Sequence, residues 1–123
     1  MHENDMYKIF IALQEYINSS KDDIKVYYEE ASKQATMPYG VISDPVETRL
    51  NYGKLIYFDI NIWSKEPDTG VALEEKVQSL INLIDKHIFS DEKAVIYFES
   101  QRPVADPEFE LIKKQITFSI RLF

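Results

Sequence analysis

The sequence predicts an α+β fold: a two-layer sandwich in which a mostly antiparallel sheet carries two amphipathic helices on one face. Three observations carry that prediction. Apolar residues recur at spacings of three and four from Asp5 to Ser19 and again from Val71 to Phe89. Strict alternation marks two further stretches, Lys54 to Ser64 and Lys114 to Phe123. The chain of 123 residues shows no internal repeat and no low-complexity tract, so residues 1–123 read as one domain. At that size roughly two thirds of the unfolded surface is buried on folding, which supports a core without metal or disulfide staples.

In the first stretch Met6, Ile9, Phe10, Leu13 and Ile17 form one helical face, with Lys8, Gln14, Glu15 and Asn18 outside it. Asn4 or Asp5 is placed to cap the first turn. Lys21-Asp22-Asp23 breaks the pattern, Ile24 to Tyr28 reads as a short strand, and Glu29 to Thr36 as a loop or helical turn. Tyr39 to Leu50 reads as extended, with an edge or bulge where Asp44-Pro45 interrupts it. Asn51-Tyr52-Gly53 signals a turn into the clearest strand, whose Ile56, Phe58, Ile60 and Ile62 share one face. Asp68 or Thr69 then caps a helix to Phe89, with Leu73, Val77, Leu80, Ile81, Ile84 and Ile88 inward. Ala94 to Glu99 is a strand, Gln101 to Glu108 a proline-bearing loop, and the last strand turns Ile116, Phe118, Ile120 and Leu122 to one side.

The composition removes several function classes. The absence of cysteine excludes disulfide scaffolds, thiolate metal sites and cysteine nucleophiles. A balance of 14 basic and 21 acidic residues, net −7, opposes specific nucleic-acid binding and anionic membrane surfaces. No apolar run reaches the roughly 18 residues that span a bilayer, and Met1-His2-Glu3-Asn4-Asp5 does not open like a signal peptide. Neither His2 nor His87 has the partners for a metal site or a serine triad, and no phosphate-binding glycine loop occurs. His87, read as the last turn of the second helix, suits a helix-end role through the dipole. Glu74 and Glu75 suit the first turn of that helix, and the other acidic pairs read as solvated surface.

Asp68-Thr69-Gly70 resembles the catalytic triplet of retroviral-type aspartic proteases. The resemblance ends with the triplet, because a helix rather than a glycine-rich all-β chain follows it. The chain is therefore expected to be no enzyme, with no catalytic residue, no cofactor and no metal.

The unusual feature is the outward face of the predicted sheet. Tyr57, Asp59, Asn61 and Trp63 share it, and Thr117, Ser119 and Arg121 fall on the same side. A Trp beside Tyr, Asp and Arg is the composition of an interface core and rim, so Tyr57, Asp59, Asn61, Trp63 and Arg121 are the candidate interface. Trp63 has a second reading, as a core residue folded under the turn that follows its strand. The aromatic residues are otherwise spread along the chain and form no stacking platform for single-stranded nucleic acid.

Met37-Pro38-Tyr39-Gly40-Val41-Ile42-Ser43 leads through a hairpin to Tyr57-Phe58-Asp59-Ile60-Asn61-Ile62-Trp63-Ser64, and a turn and long amphipathic helix follow. From about Met37 to Phe89 this resembles the tail-completion, or tail-terminator-like, proteins of long-tailed bacteriophages and prophages. The resemblance implies a structural subunit of a homo-oligomeric ring, commonly of six. Such a ring ends the tail tube, joins it to the head, and takes tail-tube and head-connector proteins as partners. It implies assembly in the bacterial cytoplasm and residence in the virion tail. Net negative charge suits a conduit that must not hold DNA. The alternative is an acidic monomeric binding module, of immunity or inhibitor type, steered toward a basic protein partner.

Overall fold

The computed structural model describes residues 2–20, 24–28, 38–50, 53–64, 70–91, 93–106 and 111–123. The elements in chain order are α1 His2–Ser19, β1 Lys25–Tyr28, β2 Tyr39–Leu50, β3 Gly53–Ser64, α2 Gly70–Ile84, β4 Ile88–Phe89, β5 Ala94–Asp106 and β6 Leu111–Leu122. The strands form one sheet in the order β1-β2-β3-β6-β5-β4, parallel between β1 and β2 and antiparallel elsewhere. This is the α+β two-layer arrangement that alternation and helical periodicity predict.

Alternation decides which side the helices cover. Ile42, Ile56, Phe58, Ile60, Ile62, Ile96, Ile116, Phe118 and Ile120 are buried on one face of the sheet. Ile9, Phe10, Leu13 and Ile17 of α1 and Leu73, Val77, Leu80, Ile81 and Ile84 of α2 are buried with them. Both amphipathic stripes thus pack on the same face. At the margin of this layer Lys114 is buried and extends its ammonium to Glu74 of α2, at 3.1 Å. Glu74 lies beyond the first turn of α2, so it serves that pair rather than the helix start.

The sheet's two edges are each covered over part of their length, by different devices. On β1, the side chains of α1 take the place of a further strand: Asn18 Nδ2 donates to the Val26 carbonyl and Asn18 Oδ1 accepts from Val26 N, both at 2.8 Å. Gln14 Oε1 accepts from Tyr28 N at 2.8 Å. Gln14 and Asn18, expected to face solvent, are therefore edge-binding residues; the backbone groups of β1 need partners, and amides one turn apart supply them. Past Ile42, β2 has no outer neighbour among the described residues, and there it carries Pro45 and a bulge between Ser43 and Val46. The bulge expected at Asp44-Pro45 is in place.

On the other edge the second helix is shorter than its periodicity predicts. It ends at Ile84 rather than Phe89, with Lys86 at φ 66°, a left-handed cap, and Lys86 N donating to the Ile96 carbonyl. Ile88 and Phe89 then pair with Val95 and Ala94 as β4. Asp85 Oδ1 accepts from Phe98 N at 2.8 Å, extending the cover along β5. Because the chain has left the helix, Ile88 faces outward and is 66% exposed, which corrects its inward placement.

Two other expectations change. Gln101 to Asp106 is strand rather than loop, paired with β6 as far as Asp106 opposite Leu111. This part of β5 follows a bulge between Phe98 and Ser100 and carries Pro103 on an open edge, where a missing N–H is tolerated. Helix α1 starts at His2, so Asn4 and Asp5 lie inside it rather than at its cap. The loop expected at Glu29–Thr36, the acidic break at Lys21–Asp23, the turn residues Asn51 and Tyr52, the caps Asp68 and Thr69, and Pro107 and Glu108 lie outside the described residues. So does the side chain of Met6.

His87 sits three residues past the helix rather than in its last turn. Its ring stacks on Tyr16 at 3.8 Å between centroids and meets Phe89 edge-on at 4.5 Å. Desolvation by this burial lowers its pKa from 6.5. The folded state thus favours the neutral ring, and the unfolded chain takes up the proton first as pH falls. The contribution is fully present above about pH 6.5 and is lost as pH drops through the folded-state value. Thermal melts should show a stability loss below about pH 6.5 that His87→Gln reduces.

Candidate functional site

Among the described residues, no element covers the sheet face opposite the helices. Cross-strand registration arranges its residues in rows. The first row holds Ile88, Val95, Arg121, Leu55 and Thr48. The second holds Tyr97, Ser119, Tyr57 and Val46, and the third Ser100, Thr117, Asp59 and Ser43. Arg102, Gln115, Asn61 and Val41 make the fourth, and Trp63 with Tyr39 lies beyond it. All five predicted interface residues, Tyr57, Asp59, Asn61, Trp63 and Arg121, are brought to this one face.

The face has two chemical halves. Rows three and four are a hydrogen-bonded ladder. Thr117 Oγ1 donates to Asp59 Oδ1 and Gln115 Nε2 to Asp59 Oδ2, each at 2.7 Å, and Arg102 Nε donates to Gln115 Oε1 at 2.6 Å. Asn61 Nδ2 donates to Ser43 Oγ at 2.7 Å, and its Oδ1 is buried with no partner among the described residues. Asn61 is thus a buried structural amide rather than an exposed contact. Trp63 is half-buried at the end of its strand, between the two readings its position allows.

Rows one and two carry the exposed apolar side chains, Ile88 at 66%, Val46 at 60%, Tyr57 at 40% and Tyr97 at 38%. Arg121 stands in row one between Val95 and Leu55, diagonal to both tyrosines, and makes no ion pair among the described residues. Beneath the tyrosines Ser119 is buried and donates to Glu99 Oε2 at 2.6 Å. Sequence reasoning missed Val46, Tyr97 and Ile88. The signal for Tyr97 was its alternation with Ile96 and Phe98; Ile88 was hidden by a helical spacing that the chain abandons at Lys86.

The ladder's carboxylate is committed to neutral donors, and no three His, Asp or Glu side chains converge to hold a metal ion among the described residues. No helix among them is long and apolar enough to cross a membrane. The arrangement suits surface contact: an apolar, aromatic patch that includes Arg121, beside a hydrogen-bonded polar ladder.

No protein-family model and no curated protein matches this chain. Among solved structures it is similar to a chain in the virion of a native gene transfer agent particle. The TM-score is 0.60 and the identity 12%, over 79% of this chain and 77% of that one. At that identity the likeness is one of fold.

Proposed function

We propose that this chain is a structural subunit of a phage-like particle: a ring-forming tail-completion protein that ends the tail tube and joins it to the head. The observation that carries the reading is a sheet face, uncovered among the described residues, that exposes Tyr57, Tyr97, Ile88 and Val46 in the same two rows as Arg121, in a fold also found in a virion particle. An exposed apolar patch rimmed by polar groups is a contact surface. A closed ring needs heterologous contacts, and six subunits is the expected number. In this reading the chain has no catalytic role, assembles with tail-tube and head-connector proteins in the bacterial cytoplasm, and presents a net −7 charge that does not retain DNA.

The test is native mass by light scattering with negative-stain images, for the free protein and in the presence of tail tubes from the same genome. Rings near six times 14.5 kDa uphold the proposal. Trp63→Ala and Arg121→Ala should then reduce ring formation or docking while circular dichroism is unchanged. Absence of any ring under either condition overturns it. Strongly salt-dependent capture of one basic protein by a monomer would favour the acidic binding module instead.

A further inference from the structure

The rows of the bare face are arranged so that the face complements a copy of itself. The second row, Tyr97, Ser119, Tyr57 and Val46, divides it. On one side lies Arg121; on the other lie Asp59 and, at the bulge, Glu99, with Arg102 one row further out and bonded to Gln115. Neither Arg121 nor Asp59 has an ion pair among the described residues. Now place a second copy face to face, with a two-fold axis lying along the second row in the plane between the sheets. The axis exchanges the two sides. On β6, Arg121 of each copy comes to lie over Thr117 of the other, whose cross-strand neighbour is Asp59. Packed sheets lie about 10 Å apart with strands within about 30° of alignment, which an arginine side chain spans. Row two meets itself: tyrosines face tyrosines over the low Ser119, and Val46 faces Val46.

The other ways to join two copies are obstructed. The helical layer exposes Glu74, Glu75, Gln78, Ser79 and Asn82, a solvated surface on a chain of net charge −7. Edge-to-edge pairing is opposed along β1 by Gln14 and Asn18, on β2 by Pro45 and its bulge, and on β5 by β4, Asp85, a bulge and Pro103.

We infer that two copies of this chain pair through their bare sheet faces, Arg121 of each reaching Asp59 of the other, so that the free protein keeps this face covered. The inference shares a face with the ring proposed above but does not need the ring. Where both hold, the pair must part before the face can engage its neighbours in the particle, which restrains assembly away from a tube.

Sedimentation velocity over about 1 to 100 μM tests it. A reversible dimer is expected. Arg121→Glu alone and Asp59→Arg alone should each weaken it roughly tenfold or more, and the double variant should recover most of the loss. Asp59→Arg also disturbs the ladder, so Val46→Glu, at an exposed position that the axis sets against its own copy, is the companion and should abolish the dimer with an unchanged melt. A wild-type monomer throughout, or a dimer indifferent to Arg121→Glu and Val46→Glu, overturns the inference. Rings that form directly from monomers overturn the dimer and leave the ring standing. A dimer with these sensitivities that never enters a ring on tail tubes upholds the dimer and overturns the ring.

Discussion

Gly53→Ala is expected to cost on the order of 3–5 kcal/mol and to leave little folded protein at 37 °C. Two independent effects coincide at this position. Its φ of 142° is open only to glycine. A Cβ there would overlap the Leu122 carbonyl oxygen, a backbone atom that cannot swing aside. Leu122 is paired with Lys54 across the β3–β6 ladder and with Ala94 across β5, so yielding at one point disturbs three strands. Gly40 is the control. Its added Cβ would meet the Ile60 methyl at 3.0 Å and the Val26 methyl at 3.4 Å, both side-chain atoms, and no unusual φ is involved. Gly40→Ala should cost about 1–2 kcal/mol, the overpacking range. Urea melts of the two variants side by side check the contrast. Equal losses would mean that the hairpin entering β3 shifts freely, and that the approach to Leu122 is not a constraint.

How much of this was legible beforehand divides along physical lines. The two layers and the inward residues followed from period alone, because burying one face of a strand or one stripe of a helix fixes the spacing of apolar residues. The outward face was legible for the same reason: once Ile56, Phe58, Ile60 and Ile62 point in, Tyr57, Asp59, Asn61 and Trp63 must point out. What was not legible depends on contacts distant in sequence. Ile88 continues the helical spacing of Ile81 and Ile84, and nothing local announces that Lys86 will adopt a left-handed conformation. The helix ends there because Ile96, on a strand formed later in the chain, takes the Lys86 N–H and offers its own to His87. Gln14 and Asn18 read as solvated because the edge they close belongs to another element. Pro103 read as loop because proline is barred from the middle of a sheet; that β5 is an edge beyond Phe98 is a fact of topology. The same errors blurred the site. Tyr57 and Arg121 lie on the outward face that alternation gives them, but Ile88, Val46 and Tyr97 on that face come from three other strands, and only the register assembles them.

Phe118→Ala is expected to have a comparable effect through a different mechanism. Phe118 is wholly buried on β6 and stands at the centre of an aromatic chain that crosses both layers. It stacks on Phe58 of β3 at 5.6 Å and meets Phe98 of β5 at 6.0 Å, while Phe58 in turn meets Phe10 of α1 at 5.1 Å. Removing the ring leaves a cavity bounded by strands on both sides, which hold their spacing through the β3–β6 and β5–β6 ladders and so cannot close in. A phenylalanine truncated in such a site costs about 3–5 kcal/mol. For a domain of this size that corresponds to a fall in Tm of roughly 15 °C. Phe118→Leu, which keeps most of the volume, should recover about half or more of the loss. The outcome also bears on the contact face. Phe118 lies on the same strand as Arg121 but points to the opposite side of the sheet, so Phe118→Leu should lower the melting temperature while leaving self-association unchanged. If Phe118→Leu instead weakened association as much as Arg121→Glu does, the face would owe its shape to the core beneath it, and surface substitutions there would have to be judged by melts as well as by mass.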